Sequence, residues 1–360
     1  MTHILLCLSH SVEEHDQLRL FSEMGHDVFS LGGYIDPAHP HSDLRPPLPD
    51  VSFHPELKAA VDAIGAHDNL GAAQERIPDA VLDWLGDDGV IFYHHNLHRL
   101  FGQWDRLRAW RDASSGRRIV WRSVGQSVEG NEQDARPFRD QGLERVAYSP
   151  KEANIPGYSG HDALIRFYAD PDEWTGWTGE DARVLNIAQH DAVPHARDEW
   201  LNWRFWEEAT AGLPRVFAGS HSEKVGGLGK LPLDDMKALL RSCRVFLYTG
   251  TQPASYTLGF IEAMMTGIPV VSIGPSWMTI FPPYGPLLFE GHELVDGSLK
   301  WNDNPAALRQ LLKSWYLDDG SDAVAREDSE YGRRRAIALF GKPTIRDQWA
   351  RFLVGAPVPA

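Results

Sequence analysis

Apolar residues fall along this chain in short unbroken runs, separated by longer stretches in which they recur every three or four positions. The runs are His3–Ser9, Asp27–Leu31, Gly89–Asn96, Arg118–Arg122 and Arg145–Ser149, then Arg183–Gln189, Pro214–Gly219, Val245–Tyr248 and Pro269–Ile273. A short apolar run bounded by polar, Gly or Pro residues predicts a strand buried on both faces. Helices are predicted between them, over Glu14–Met24, Leu57–Ile64, Pro78–Leu85, Leu100–Arg111, Glu199–Ala211, Leu233–Arg241 and Tyr256–Thr266. Three more close the chain, over Pro305–Trp315, Asp322–Phe340 and Thr344–Leu353. Leu100, Trp104 and Leu107 share one face, and Trp200, Trp203 and Trp206 recur at a spacing that suits packing. Strands that alternate with helices predict parallel sheets covered on both sides, an α/β fold. The pattern runs through the series twice, with the polar segment Gly176–Asp181 between, which predicts two domains.

The clearest unit is Ser242–Gly274. Val245–Tyr248 is a strand, Thr249–Ser255 a polar loop, and a helix follows with Ser255 or Thr257 as its cap. Gly267 and Pro269 end that helix before the strand Pro269–Ile273. Such a unit presents the N–H groups and positive end of a helix at the carboxyl edge of a parallel sheet, where α/β proteins bind phosphates.

Composition narrows the class. A net charge of -15 disfavours general affinity for nucleic acid or anionic membrane. No apolar run approaches the roughly 18 residues of a membrane span, so no stable membrane insertion is expected. Met1-Thr2-His3 leads directly into a strand with no basic segment before it, which argues against a secretory signal. Cys7 and Cys243 fall in different predicted domains, which suits a reducing, cytoplasmic setting without a disulfide. His39, His41 and His54 lie in a Pro-rich excursion at no zinc-like spacing and read as loop histidines. Gly226-Gly-Leu-Gly229 follows no strand-to-helix step of the dinucleotide type and receives no phosphate role. One charge feature stands out: Arg99, Arg106, Arg108, Arg111, Arg117, Arg118 and Arg122 face only Asp105 and Asp112 within their segment.

The run Tyr256-Thr-Leu-Gly-Phe-Ile-Glu-Ala-Met-Met-Thr-Gly-Ile-Pro-Val-Val271 resembles the donor-site signature of retaining GT-B glycosyltransferases, the group related to sucrose and glycogen synthases. That resemblance implies two doubly wound Rossmann-like domains facing a cleft, and a nucleotide-sugar donor, UDP-linked on family frequency, as substrate. No cofactor is expected, and no metal, since no persuasive metal constellation exists apart from the Asp170–Asp172 string and a helix N-terminus with Arg can replace a cation at the diphosphate. Glu262 then holds the ribose, and backbone N–H groups of Ser255, Tyr256, Thr257 and Leu258 face the diphosphate. Gln189 stands where the family carries Arg, and Arg197 is the candidate for its second cation. Ala254 stands where the family has a sugar-contacting Glu. In the amino-terminal half, His94 matches the second His of the family's His-x-His, with Phe92 in place of the first. His94 and Arg122 are the catalytic candidates, and Ser9, His10, Arg108 and Arg111 the acceptor-side ones. Leu164–Trp174 resembles the family's crossover segment, so its Asp170-Pro171-Asp172 string reads as part of that segment rather than as a metal motif.

The expected division is 1–175 for the acceptor-side domain, 176–342 for the nucleotide-sugar domain, and 343–360 for a terminal helix crossing back to the first. The expected activity is transfer of a hexose to an acceptor hydroxyl with retention. A sugar-nucleotide epimerase of the same fold and an inactive nucleotide-sugar-binding protein stay open as alternatives. The arginine excess raises an anionic acceptor, such as a phosphorylated or lipid-linked glycan or hydroxymethylated DNA. A small neutral acceptor is equally consistent with the sequence.

Overall fold

The computed structural model describes residues 1–360 apart from 9, 32–44, 46–47, 49–53, 66–73, 95–96, 126–127, 189–199, 296–299 and 360. The chain forms two compact units, one of Met1–Tyr148, Gly157–Ile165 and Gln348–Ala360, the other of Ser149–Pro156 and Arg166–Asp347.

The first unit begins β1 (His3–Cys7), α1 (Ser11–Glu23), β2 (Asp27–Ser30), α2 (Pro55–Ala63), α3 (Asp79–Trp84) and β3 (Val90–Tyr93). It continues α4 (Leu97–Phe101), α5 (Trp104–Asp112), β4 (Arg118–Arg122), α6 (Glu129–Arg139), β5 (Glu144–Ala147) and β6 (Ala163–Leu164). All strand pairs are parallel, in the order β2-β1-β3-β4-β5-β6, with Leu5 opposite Ile91 and Ile91 opposite Ile119. Those residues and Trp121 pack with Leu82, Leu85, Leu100 and Leu107 of the covering helices. Order reverses between β1 and β3, so the loops leaving these two strands diverge to opposite faces. A crevice at the carboxyl edge results, the usual ligand position in such sheets.

The second unit begins β7 (Asp181–Ile187), α7 (Trp203–Ala209), β8 (Arg215–Ala218), α8 (Leu233–Ser242), β9 (Cys243–Tyr248), α9 (Leu258–Thr266) and β10 (Val270–Ile273). Then come α10 (Gly285–Leu288), α11 (Gly291–Leu294), β11 (Trp301–Asn302), α12 (Pro305–Leu312), α13 (Asp322–Phe340) and the start of α14 (Lys342–Leu353), whose residues from Gln348 on belong to the first unit. Its sheet is again all-parallel, ordered β11-β10-β9-β7-β8, and reverses between β7 and β9. The α/β architecture expected from the strand–helix alternation is thus present twice.

Several elements differ from the sequence expectation for definable reasons. The helix expected over Leu100–Arg111 is two, α4 and α5, interrupted at Gly102-Gln103. Helix α1 starts at Ser11 instead of Glu14 because the His10 ring caps it, Nδ1 accepting from Glu13 N. Helix α6 lacks an apolar stripe and was not expected. It is anchored by Glu132, fully buried and 2.6 Å from the Arg145 guanidinium, and by Ala135. Arg145 lies 4.0 Å over the Trp121 ring.

Candidate functional site

At the reversal point of the second sheet, β9 ends in Tyr248 and the chain turns through Thr249–Thr257 into α9. The turn is fixed from several directions. Asn186 at the end of β7 donates to Leu247 O at 2.8 Å, and Asn202 donates to Thr249 O at 2.8 Å. Gln252 N donates to Trp200 O, while its side-chain oxygen accepts from Ile280 N at 2.9 Å. Gly250 has φ +75°, and a Cβ there would meet Met278 Cε at 2.9 Å, so glycine is required. Glu290 N donates to Ser255 O at 2.9 Å.

Helix α9 is capped by Thr257, whose hydroxyl accepts from Phe260 N. The buried Tyr248 hydroxyl lies beside Thr257, and burial pushes its pKa up. Leu258 and Gly259, the first residues of α9, supply first-turn N–H groups that an α-helix leaves without intrahelical acceptors. Glu262 lies on the second turn and is 6% exposed, so it is no solvated surface carboxylate. The Ser255 side chain is buried, and the Tyr256 ring packs 5.9 Å from Phe167 and 5.4 Å from Phe340. Tyr256 can therefore offer a ligand its backbone and not its ring. Gln189 and Arg197, on the segment after β7, lie outside the described residues.

At the reversal point of the first sheet, His10 follows β1 and His94 follows β3, with ring centroids 6.3 Å apart. His10 is half-buried and His94 buried. Because His10 Nδ1 accepts the cap bond from Glu13 N, the neutral ring carries its proton on Nε2. Its Nε2–H is therefore a hydrogen-bond donor. Arg122, at the carboxyl end of β4, is fully buried. Its Nη1 donates to Ile165 O at 2.6 Å, and Nε and Nη2 lie 3.4 Å from Glu13 Oε1. Arg122 is thus held among protein groups at the end of its strand. Glu13 also accepts from Gln17 at 2.7 Å, and burial raises its pKa to about 7 against the pull of Arg122. Ser9 lies outside the described residues.

The structure does not bring Arg108 and Arg111 to this place. Helix α5 runs back from the carboxyl to the amino edge of the sheet, so its last turns sit at the opposite edge from His10 and His94. Nor do the arginines make a basic face. Arg99 meets Glu75, Arg106 Asp79, Arg108 Asp105, Arg111 Asp112, Arg117 Asp87, Arg118 Glu144 and Arg122 Glu13. Most of those acids are distant in sequence, which is why the local count misled. Asp170 of the Asp-Pro-Asp string accepts from Asp172 N and pairs with Lys342 at 3.1 Å. His54 pairs with Asp27 at 2.8 Å, while His39 and His41 lie outside the described residues. Among the described residues no group of three or more His, Cys, Asp or Glu is placed to hold a metal ion. No helix among them is long and apolar enough to cross a membrane.

Glu13, Arg166 and Glu290 went unnoticed in the sequence. Glu13 begins the dense polar string Glu13-Glu14-His15-Asp16. Arg166 interrupts the apolar Ala163–Phe167, and Glu290 ends Leu287-Leu-Phe289. A charge set into an apolar run was the available signal in the last two cases.

No family model and no curated protein matches the sequence. Solved structures match the fold. Anabaena Alr3699/HepE, crystallised with UDP and glucose, is similar at a TM-score of 0.65 and 14% identity, over 99% of this chain and 100% of that one. A glycosyltransferase from Rickettsia africae ESF-5 is similar at 0.65 and 12% identity, over 98% of each chain. TarM is similar at 0.50 and 11% identity, over 76% of this chain and 57% of that one. The fold is that of the GT-B glycosyltransferases.

Proposed function

We propose that this chain is a retaining glycosyltransferase that moves a hexose from a nucleotide sugar, UDP-linked, to an acceptor hydroxyl. The observation that carries the reading is the placement of the signature run. Glu262 is buried on the helix whose amino end opens at the reversal point of the second sheet. The fold shared with a protein crystallised with UDP and glucose supports the same donor. As the diphosphate leaves, negative charge grows on its oxygens. The Leu258 and Gly259 N–H groups and the positive end of α9 oppose that charge without reorganising. Glu262 accepts from the ribose hydroxyls. His10, donating from Nε2, and His94 orient hydroxyls at the first sheet, where the acceptor is taken to bind. With the arginines neutralised locally, the acceptor is read as a hydroxyl compound with no phosphate requirement.

The test is a thermal-shift screen against a panel of nucleotide sugars, followed by product analysis with the stabilising donor. A donor at a hundred times its dissociation constant stabilises by about 2.7 kcal/mol. Stabilisation by a UDP-sugar and formation of an α-linked product from an α-linked donor are expected, and turnover should persist in EDTA because α9 supplies the positive charge. Inversion at the anomeric carbon, an epimerised sugar as product, or no response to any nucleotide sugar would each overturn the reading.

A further inference from the structure

We propose that Arg166 and Glu290 are positioning residues that set the turn ahead of α9 for the donor diphosphate, an inference that rests on the donor reading above. Glu290 is buried, and its carboxylate takes a two-pronged grip from Arg166, at 2.6 Å from Nη2 and 3.2 Å from Nη1. Its Oε2 also accepts from Ser149 Oγ at 2.6 Å. A fork of this kind fixes direction as well as distance.

The two partners of the fork then hold two adjacent residues, one each. Glu290 N donates to Ser255 O, and the Arg166 guanidinium lies 5.6 Å over the Tyr256 ring and hydrogen-bonds its hydroxyl. The carbonyl of Ser255 and the N–H of Tyr256 belong to one planar trans peptide and point in opposite directions. Fixing the carbonyl on Glu290 therefore aims the N–H to the other side. The Tyr256 ring, clamped between Arg166, Phe167 and Phe340, stops that plane from rotating. The need for an outside clamp is visible in the sequence. The residue before Ser255 is Ala254, where the resembling pattern has Glu, and a methyl group cannot anchor the turn itself.

The experiment titrates UDP and uridine separately into wild type, Glu290→Ala, Glu290→Gln, Arg166→Ala, Arg166→Lys and the Arg166→Ala/Glu290→Ala double variant. Loss of aim at the diphosphate should weaken UDP about tenfold in each alanine variant and leave uridine unchanged. The double variant should be no weaker than either single one, as for two residues acting as a unit. Arg166→Lys, a point charge without the fork, should recover part of the loss. Should Glu290→Ala fail to fold, Glu290→Gln carries the same comparison, because it keeps the shape and loses the charge. Unchanged UDP affinity in the single variants, additive losses in the double, or parallel loss of uridine would overturn the positioning role alone. Failure of the wild type to bind any nucleoside diphosphate would overturn the donor reading and this inference with it.

Discussion

Glu262 and Glu13 are both carboxylates on α/β helices with little exposure, and their surroundings assign them opposite duties. Glu262 lies on α9 beyond the helix end that faces the proposed diphosphate. Its replacement by Ala should cost about 1.5–3 kcal/mol of UDP binding, the worth of a charge-assisted hydrogen bond. Calorimetric titration with free UDP measures this, and an unchanged affinity removes Glu262 from the donor site. Glu13 sits behind the first-sheet site, where burial raises its pKa from 4.5 to about 7. The native state therefore keeps a proton that the unfolded chain gives up above 4.5. The stability this confers is complete below 4.5 and is lost as pH rises to 7. Urea unfolding of wild type and Glu13→Gln across pH 4–8 should show the variant, which stays neutral at every pH, gaining on wild type over that window by of the order of 3 kcal/mol. A difference independent of pH would contradict the assignment.

Elements were legible where punctuation and pattern agreed. Helix α9 ends at Gly267, whose φ of +95° is the left-handed conformation a glycine adopts without strain. Thr257, one of the two caps the sequence offers, does cap it. Thr257→Ala should cost about 1 kcal/mol by chemical unfolding. Where pattern was missing, the element was missed. Helix α6 docks through the buried Glu132–Arg145 pair, and no apolar periodicity announces an ion pair whose partner lies on a strand. Breaking such a pair leaves a buried charge, so Glu132→Ala should destabilise by about 3–5 kcal/mol. A loss below 1 kcal/mol would mean that α6 is held by something else. The two-residue strands β6 and β11 were too short to carry any periodic signal.

At the scale of the molecule, the two reversal points were readable in outline, since the order of strands and helices implies where crevices open. Candidate residue roles could be named only where a signature run supplied them. Arg166 and Glu290 meet in space 124 residues apart in the chain, and neither belongs to a motif. Charge showed the same limit in the other direction: arginines close in sequence are neutralised in space by acids such as Asp79, Asp87 and Glu144. Exposed pairs of this kind contribute little, about 0–1 kcal/mol each. Arg108→Ala/Arg111→Ala should therefore keep UDP affinity and transfer within about twofold of wild type, with the same salt response from 50 to 300 mM. A steep salt dependence that the double variant abolishes would restore an anionic acceptor.

Helix α14 has a consequence for how the chain is made. The first unit includes Gln348–Ala360, and Trp349 is buried there, 5.2 Å from Phe21 and 5.5 Å from Phe92. Its indole also lies under the Arg122 guanidinium at 5.3 Å. The first unit therefore waits for a tryptophan that follows the whole of the second in the chain. Residues 166–347 must be translated in between, which at roughly 5–20 residues per second takes on the order of tens of seconds. Throughout that interval Phe21, Phe92 and Arg122 lack their native cover, and the nascent chain is open to chaperones and proteases. A fragment ending at Ile165 would remain in that state for good.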